Sequence, residues 1–171
     1  MTRIDIGVFE STVGELLATV SAMTIATHGP NGPWAADVFF ARSDWSLGFL
    51  SSPYSRHCLD IEADPQCAVT VHAEPRSWQA IQGLQLSGTA RQVTGTDPQA
   101  EILAAYFDKF PFARELVSPS DPASARPSTA TPFVFEPTRI RLIDNSLGFG
   151  ARYAVDVQDG ALVGDPFPDT P

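Results

Sequence analysis

Residues His28–Pro33 read HGPNGP and lie between two strand-forming runs, MTIAT (23–27) and AADVFFA (35–41). Glycine and proline at this density stop any regular element, so the chain turns there and the flanking runs pair back as an antiparallel hairpin. The same punctuation recurs downstream. Arg42-Ser43-Asp44 turns into WSLGFL (45–50), and CAVTVHA (67–73) alternates apolar with polar positions. The longer stretch Ile81–Val93 places Leu84, Leu86, Gly88 and Ala90 on one face and Gln85, Ser87, Thr89 and Arg91 on the other. Strict alternation of this kind marks a strand with one buried face, and a glycine in its middle marks a bulge or bend. Phe133–Ile143 and Arg152–Val157 add further strands.

Helical spacing separates these runs. Glu10–Val20 carries Val13, Leu16, Leu17 and Val20 on one side, with Ser11 or Thr12 as its cap. Ser52–Glu62 carries Tyr54, Cys58 and Ile61 and stops at Asp64-Pro65. Asp97-Pro98 opens another helix, with Asp97 as cap and Ile102, Leu103, Tyr106 and Phe107 as its apolar stripe. The expected fold is mainly β: one domain over residues 1–157, a small antiparallel barrel of six to seven strands with peripheral helices. Residues 118–132, SPSDPASARPSTATP, offer nothing to bury and read as a mobile loop, and the proline-rich tail 158–171 as loosely ordered.

Composition removes several function classes. A net charge of −9 argues against nucleic acid or an anionic membrane as main partner, since both demand a basic surface. No apolar run approaches the ~18 residues of a membrane span. The opening residues MTRIDIGVFESTVGELL lack a basic start followed by an apolar block, so a cytoplasmic location is expected. Neither phosphate-loop motif is present, nor a GxSxG elbow. The histidines His28, His57 and His72 are scattered without metal-ligand spacing, so no metal site is expected.

One stretch invites chemistry. SSPYSRHCLDIEADP (51–65) sets Ser51, Ser52, Ser55, Arg56 and His57 at the junction of a strand and a helix. A helix start offers free N–H groups and positive potential, the serines add hydroxyls, and a guanidinium fork matches a phosphate monoester. A plain serine cap beside a solvated arginine is the alternative.

In order and spacing the chain resembles the FMN-binding split-barrel superfamily, which includes the pyridoxamine-phosphate oxidases. MTIATHGPNGPWAADVFF is similar to its opening hairpin. WSLGFLSSPYSRHCLDIEADPQCAVTV is similar to its strand, Ser-Arg-Lys-like phosphate motif, helix and following strand, and IQGLQLSGTARQVTG to its long xGxA strand. The likeness spans residues 15–157. KFPFAREL followed by RIRLIDNSLGFG resembles a bacterial subgroup that ends in a DN-S/T-LGFG segment.

The resemblance implies a homodimer of split barrels with FMN at the interface. By position, Ser55, Arg56 and His57 would hold the phosphate, with Ser51 and Ser52 beside the ribityl chain. Ala36, Asp37 and Val38 would run along the isoalloxazine edge. Gln82 and Gln85 of the partner subunit would supply polar contacts. Phe149, in the Leu-Gly-Phe-Gly turn, either stacks over the ring or packs in a tight turn. The chain departs from the family at His57, where a lysine is usual, and in lacking the Arg-x-His that grips pyridoxamine phosphate. The implied function is therefore an FMN-dependent oxidoreductase or flavin reductase distinct from vitamin B6 oxidation. The alternative is a non-enzymatic split barrel that takes haem, a deazaflavin or no ligand.

Overall fold

The computed structural model describes residues 4–114 and 130–169. In chain order the elements are α1 (Ile6–Thr19), β1 (Ala22–Gly29), β2 (Gly32–Ser43), β3 (Ser46–Ser51), α2 (Arg56–Ala63), β4 (Gln66–His72), β5 (Gln82–Gln92), α3 (Thr96–Lys109), β6 (Thr131–Asp144), β7 (Arg152–Gln158) and β8 (Ala161–Pro168). The strands form one sheet in the order β3-β2-β1-β4-β5-β6-β7-β8, and a further β3–β6 pairing joins its first strand to its sixth. Strands β1–β6 thus close a barrel, with β7 and β8 as a flap, all antiparallel.

The division between barrel and flap falls on β6. Its first half pairs with β3, Leu47 opposite Phe135, and its second half with β7, Ile140 opposite Val155. Strand β5 accompanies both halves but slips at Ser87/Gly88, where Ser87 faces Arg139 and Gly88 faces Pro137. Proline lacks the N–H a ladder needs, and glycine lets the kinked strand come close, so the bulge expected from Gly88 forms where these two residues meet.

Helix α1 closes one opening of the barrel. Phe9, Val13 and Leu17 are wholly buried among Ile25, Phe40, Leu47, Phe49, Phe135, Ile140 and Leu142. The helix starts at Ile6, four residues before its expected start, because Asp5 rather than Ser11 or Thr12 caps it, accepting from the Gly7 N–H at 2.8 Å. Gly95 (φ 93°) takes the cap position of α3, and Asp97 lies in its first turn.

The sequence expectation fails at the tail. Residues 161–168 form β8 on the edge of the sheet, so the described residues hold eight strands. Asp159 (φ 50°) and Gly160 (φ 75°) both adopt positive φ, the Asp-Gly hairpin turn whose twist matches antiparallel strands. The prolines that suggested disorder are tolerated because an edge strand leaves half its N–H groups unused. Arg139 and Arg141 of β6 then bind Asp156 and Asp169 at 2.7 and 2.6 Å. In the loop expected over 118–132, residues up to 129 lie outside the described residues, and Thr131 and Pro132 already belong to β6.

Lys109, the chain's single lysine, joins α3 to α1. Its ammonium donates to the carbonyls of Leu17 (2.9 Å) and Val20 (2.7 Å), at the unpaired C-terminal end of α1, and lies 4.0 Å from the Phe40 ring centroid. Burial pushes its pKa down to about 8. An amine that loses its proton more easily when folded leaves the unfolded chain holding more protons between pH 8 and its ordinary value near 10.5. Stability contributed by this group is therefore lowest below pH 8 and rises above it. Lys109→Met is expected to cost about 1–2 kcal/mol and to abolish that rise, as read by urea unfolding at pH 7.5 and 9.5. No helix among the described residues is long and apolar enough to cross a membrane.

Candidate functional site

Helix α2 begins where β3 ends, against the β1–β2 turn, and this corner gathers most of the chemistry-bearing residues. Ser55 is its N-cap, but the hydroxyl makes no bond to a first-turn amide. It turns instead to His57. The Nε2 atom of His57 is 2.7 Å from Ser51 Oγ and 3.2 Å from Ser55 Oγ, and the two hydroxyls are 3.3 Å apart. His57 is buried, and this burial lowers its pKa, with Asp60 one turn away acting in the opposite direction. Ser52 shapes the entry to the helix: its carbonyl accepts from the Ser55 N–H at 2.9 Å and its hydroxyl from the Tyr54 N–H at 3.4 Å.

Arg56, the neighbouring residue, reaches toward the β1–β2 turn. Its Nη2 donates to the carbonyls of Asn31 (3.0 Å) and Gly32 (3.4 Å) in the β1–β2 turn, and its guanidinium lies 4.4 Å from the Trp34 ring centroid. Its Nε is buried with no hydrogen-bond partner, 3.9 Å from Asp60 Oδ2. Asp60 is itself 3% exposed, and its Oδ2 accepts from the Thr27 hydroxyl at 3.0 Å. A buried carboxylate so placed fixes the negative side of the corner and leaves the guanidinium short of one acceptor.

The structure gathers Ser51, Ser52, Ser55, Arg56 and His57 at one corner, with Thr27, Trp34 and Asp60, which sequence reasoning did not single out, beside them. The four-residue spacing of Arg56 and Asp60 on a helix was a readable signal for the last of these. Cys58 and Cys67 are free and buried; burial raises both thiols, Cys67 to about 11, so neither is a thiolate at neutral pH.

The other expected residues lie elsewhere. On β2, Ala36 and Val38 pack against the core, while Asp37 points to the outer face and accepts from the Thr24 hydroxyl at 2.5 Å. Gln85 is on that same outer face, its Oε1 accepting from Arg141 at 3.1 Å. Gln82 donates to Asp144 at 2.8 Å, at the start of β5. Next to it two loops lock together: Asn145 donates from its side chain to the Trp78 carbonyl (2.8 Å) and accepts from the Gly150 N–H (3.0 Å). Phe149, 85% exposed, meets Trp78 edge-to-face at 5.7 Å. It does not pack in a tight core turn.

The candidates therefore form two groups. In register, the Arg56 end of the sheet includes His28, Gln66 and Thr89, and the opposite end His72 and Gln82. Gln82 and Thr89 lie roughly 23 Å apart along β5. Between the ends, Ala35, Ala26, Ala68 and Ser87 face one another across four strands and leave the outer face flat. A groove of about 500 Å³ opens there beside His28, Gln66 and Thr89.

A six-stranded barrel closed by the β3–β6 pairing, with further strands beyond β6, defines a split-barrel protein. The chain belongs to the pyridoxamine 5'-phosphate oxidase family, whose profile matches residues 9–144. It is 27% identical over 142 residues to a UPF0306 protein of Klebsiella pneumoniae, covering 82% of this chain and 88% of that one. Among solved structures it is similar to a heme binding protein from Mycobacterium smegmatis, with TM-score 0.69 and 21% identity over 91% of this chain and 60% of that one. It is also similar to a pyridoxamine 5'-phosphate oxidase-related, FMN binding protein from Nostoc punctiforme, with TM-score 0.63 and 13% identity over 97% of this chain and 96% of that one.

Proposed function

We propose that this chain is an FMN-binding oxidoreductase of the cytoplasm that works as a homodimer through the outer face of its sheet. The observation that carries the reading is the corner at α2. Arg56 has a buried Nε without an acceptor, and Ser55 spends its hydroxyl on His57 rather than on capping the helix. A phosphate monoester suits this donor set: hydroxyls of Ser51 and Ser55, the first-turn N–H groups of α2 and the Arg56 guanidinium. FMN, when bound, supplies hydride and electron transfer. The protein's own residues hold the phosphate, exclude water and orient what lies beside them.

Two observations support the dimer. Gln82, Trp78 and Phe149 are at the far end of the sheet from Arg56, so one chain does not bring the two groups together; a copy packed face to face about a two-fold axis lying across the strands would exchange the ends and bring them near each other. That face is built of small side chains over the row Ala35, Ala26, Ala68 and Ser87, on which a second sheet can lie closely.

Flavin fluorescence on titration with FMN and with riboflavin, which lacks the phosphate, tests the site. FMN is expected to bind at least tenfold more tightly than riboflavin. Arg56→Ala is expected to cost about 1.5–3 kcal/mol, roughly 10- to 150-fold in affinity, for FMN alone. Equal binding of the two flavins, or an unchanged affinity in Arg56→Ala, removes the phosphate from this corner. A haem reading is favoured by exposed His28, an imidazole at the edge of the outer groove, and by the haem-binding neighbour. Haemin added in place of FMN separates the two, because ligation by His28 gives a sharpened Soret band that His28→Ala loses.

A further inference from the structure

We infer that His57 is the proton-gated member of the anion site: neutral with its lone pair on Nε2, it accepts a hydroxyl hydrogen from the Ser51–Ser55 pair, and protonated, it frees that pair toward a phosphate monoester and adds a second positive charge beside Arg56. This rests on the flavin reading above and names how that site is regulated. Both serines converge on one ring atom, Nε2, at 2.7 and 3.2 Å. In the neutral ring this atom holds either a lone pair or a proton, but not both. As an acceptor it consumes a serine O–H. When the ring takes up a proton, both ring nitrogens are donors, Nε2–H points at the serine oxygens, and each hydroxyl hydrogen is free to turn to a ligand oxygen. One proton gained at the ring thus supplies a charge and up to two hydrogen-bond donors.

The charged and titratable groups on the surrounding elements leave this proton to His57. On α2 they are Arg56, Cys58, Asp60 and exposed Glu62, and Asp60 favours the charged ring. From β1 comes Thr27, which is not titratable and bonds Asp60, together with exposed His28 at the strand's end. From β5 comes Arg91, whose guanidinium is paired with Glu136 at 3.1 Å. On β2, Asp37 points to the outer face and is bound by Thr24. Burial disfavours the charged ring. A bound phosphate dianion favours the imidazolium, so binding and protonation reinforce each other. Affinity therefore rises as pH falls, until the phosphate loses its own second charge near pH 6.

FMN titrations at pH 8 and pH 6.2 test the coupling. The wild-type protein is expected to bind FMN about two- to fivefold more tightly at pH 6.2 than at pH 8, as follows from linkage if phosphate raises the ring's pKa by about one pH unit from a value below the usual one. His57→Lys, a permanent cation, is expected to bind tightly at both pH values, and His57→Gln weakly at both. Riboflavin should show no pH response in any of the three. Should His57→Gln unfold, the ring is read directly in the wild type by NMR: its pKa rises on saturation with FMN. A His57→Gln profile parallel to the wild type, or a ring pKa unmoved by FMN, overturns the role of His57 while leaving the flavin site intact. Failure of the wild type to bind FMN at either pH overturns the flavin reading and this inference with it.

Discussion

Gly88→Ala is expected to lower the free energy of unfolding by about 3 kcal/mol, seen as a lower urea midpoint at unchanged slope. A methyl group at this position would lie 2.2 Å from the Glu136 carbonyl oxygen and 2.7 Å from Pro137 Cα. Both are backbone atoms of β6, so no rotamer change relieves the overlap. Relief requires β5 and β6 to separate where β6 changes neighbours, from β3 on one side of the bulge to β7 on the other. The cost thus falls on closure of the barrel as well as on one pair of strands. Gly48→Ala is the control: its added methyl meets Ile102 Cγ2 at 2.7 Å, the end of a side chain that can rotate away. That variant is expected to lose about 1 kcal/mol or less. Equal losses in the two variants would mean that the β5–β6 ladder yields at the bulge and that Gly88 does not set its geometry.

The barrel was legible because its signals are local. Alternation over MTIAT, CAVTVHA and Ile81–Val93 and the HGPNGP turn report strands and reversals within a few residues of each other. Strand β8 was lost to a competing local signal: three prolines after Asp159 suggested disorder, while Asp159-Gly160 was the stronger cue, since an edge strand accepts proline. The start of α1 was misplaced for a related reason. Ser11 and Thr12 are good caps by type, but Phe9 is wholly buried in the core and draws the helix back to Asp5.

The site was legible only in part. Ser51, Ser55, Arg56 and His57 announce themselves by residue type at a strand–helix junction. What each side chain does there depends on residues far away in sequence: Arg56 on Asn31, Gly32 and Trp34, Asp60 on Thr27. No local pattern encodes such pairs. Ala36, Asp37 and Val38 form a contiguous segment, yet a strand sends neighbours to opposite faces, so only Asp37 among them shares the outer face with Gln85.

The close seat of α2 on β1 leads to the second large effect. Gly29→Ala is expected to destabilise the fold by about 2–4 kcal/mol. Its methyl would fall 1.9 Å from Asp60 Oδ1, 2.6 Å from its carboxyl carbon and 3.2 Å from its Cβ, so the whole short side chain stands in the way. The same carboxylate accepts from the Thr27 hydroxyl through Oδ2, so a shift that clears the methyl disturbs that bond. Displacement leaves that buried hydroxyl unpaired and removes the carboxylate facing Arg56 Nε. The cause is checked by a double-mutant cycle. Asp60→Ala alone strands Thr27 and is expected to cost about 2 kcal/mol. In the protein carrying both changes, the methyl at 29 enters space that the carboxylate has vacated, so the costs should fall short of additivity by at least about 1 kcal/mol. Simple addition would show that the strain lies in the β1–β2 turn rather than against Asp60, and the carboxylate would then have no part in seating the helix that carries Arg56 and His57.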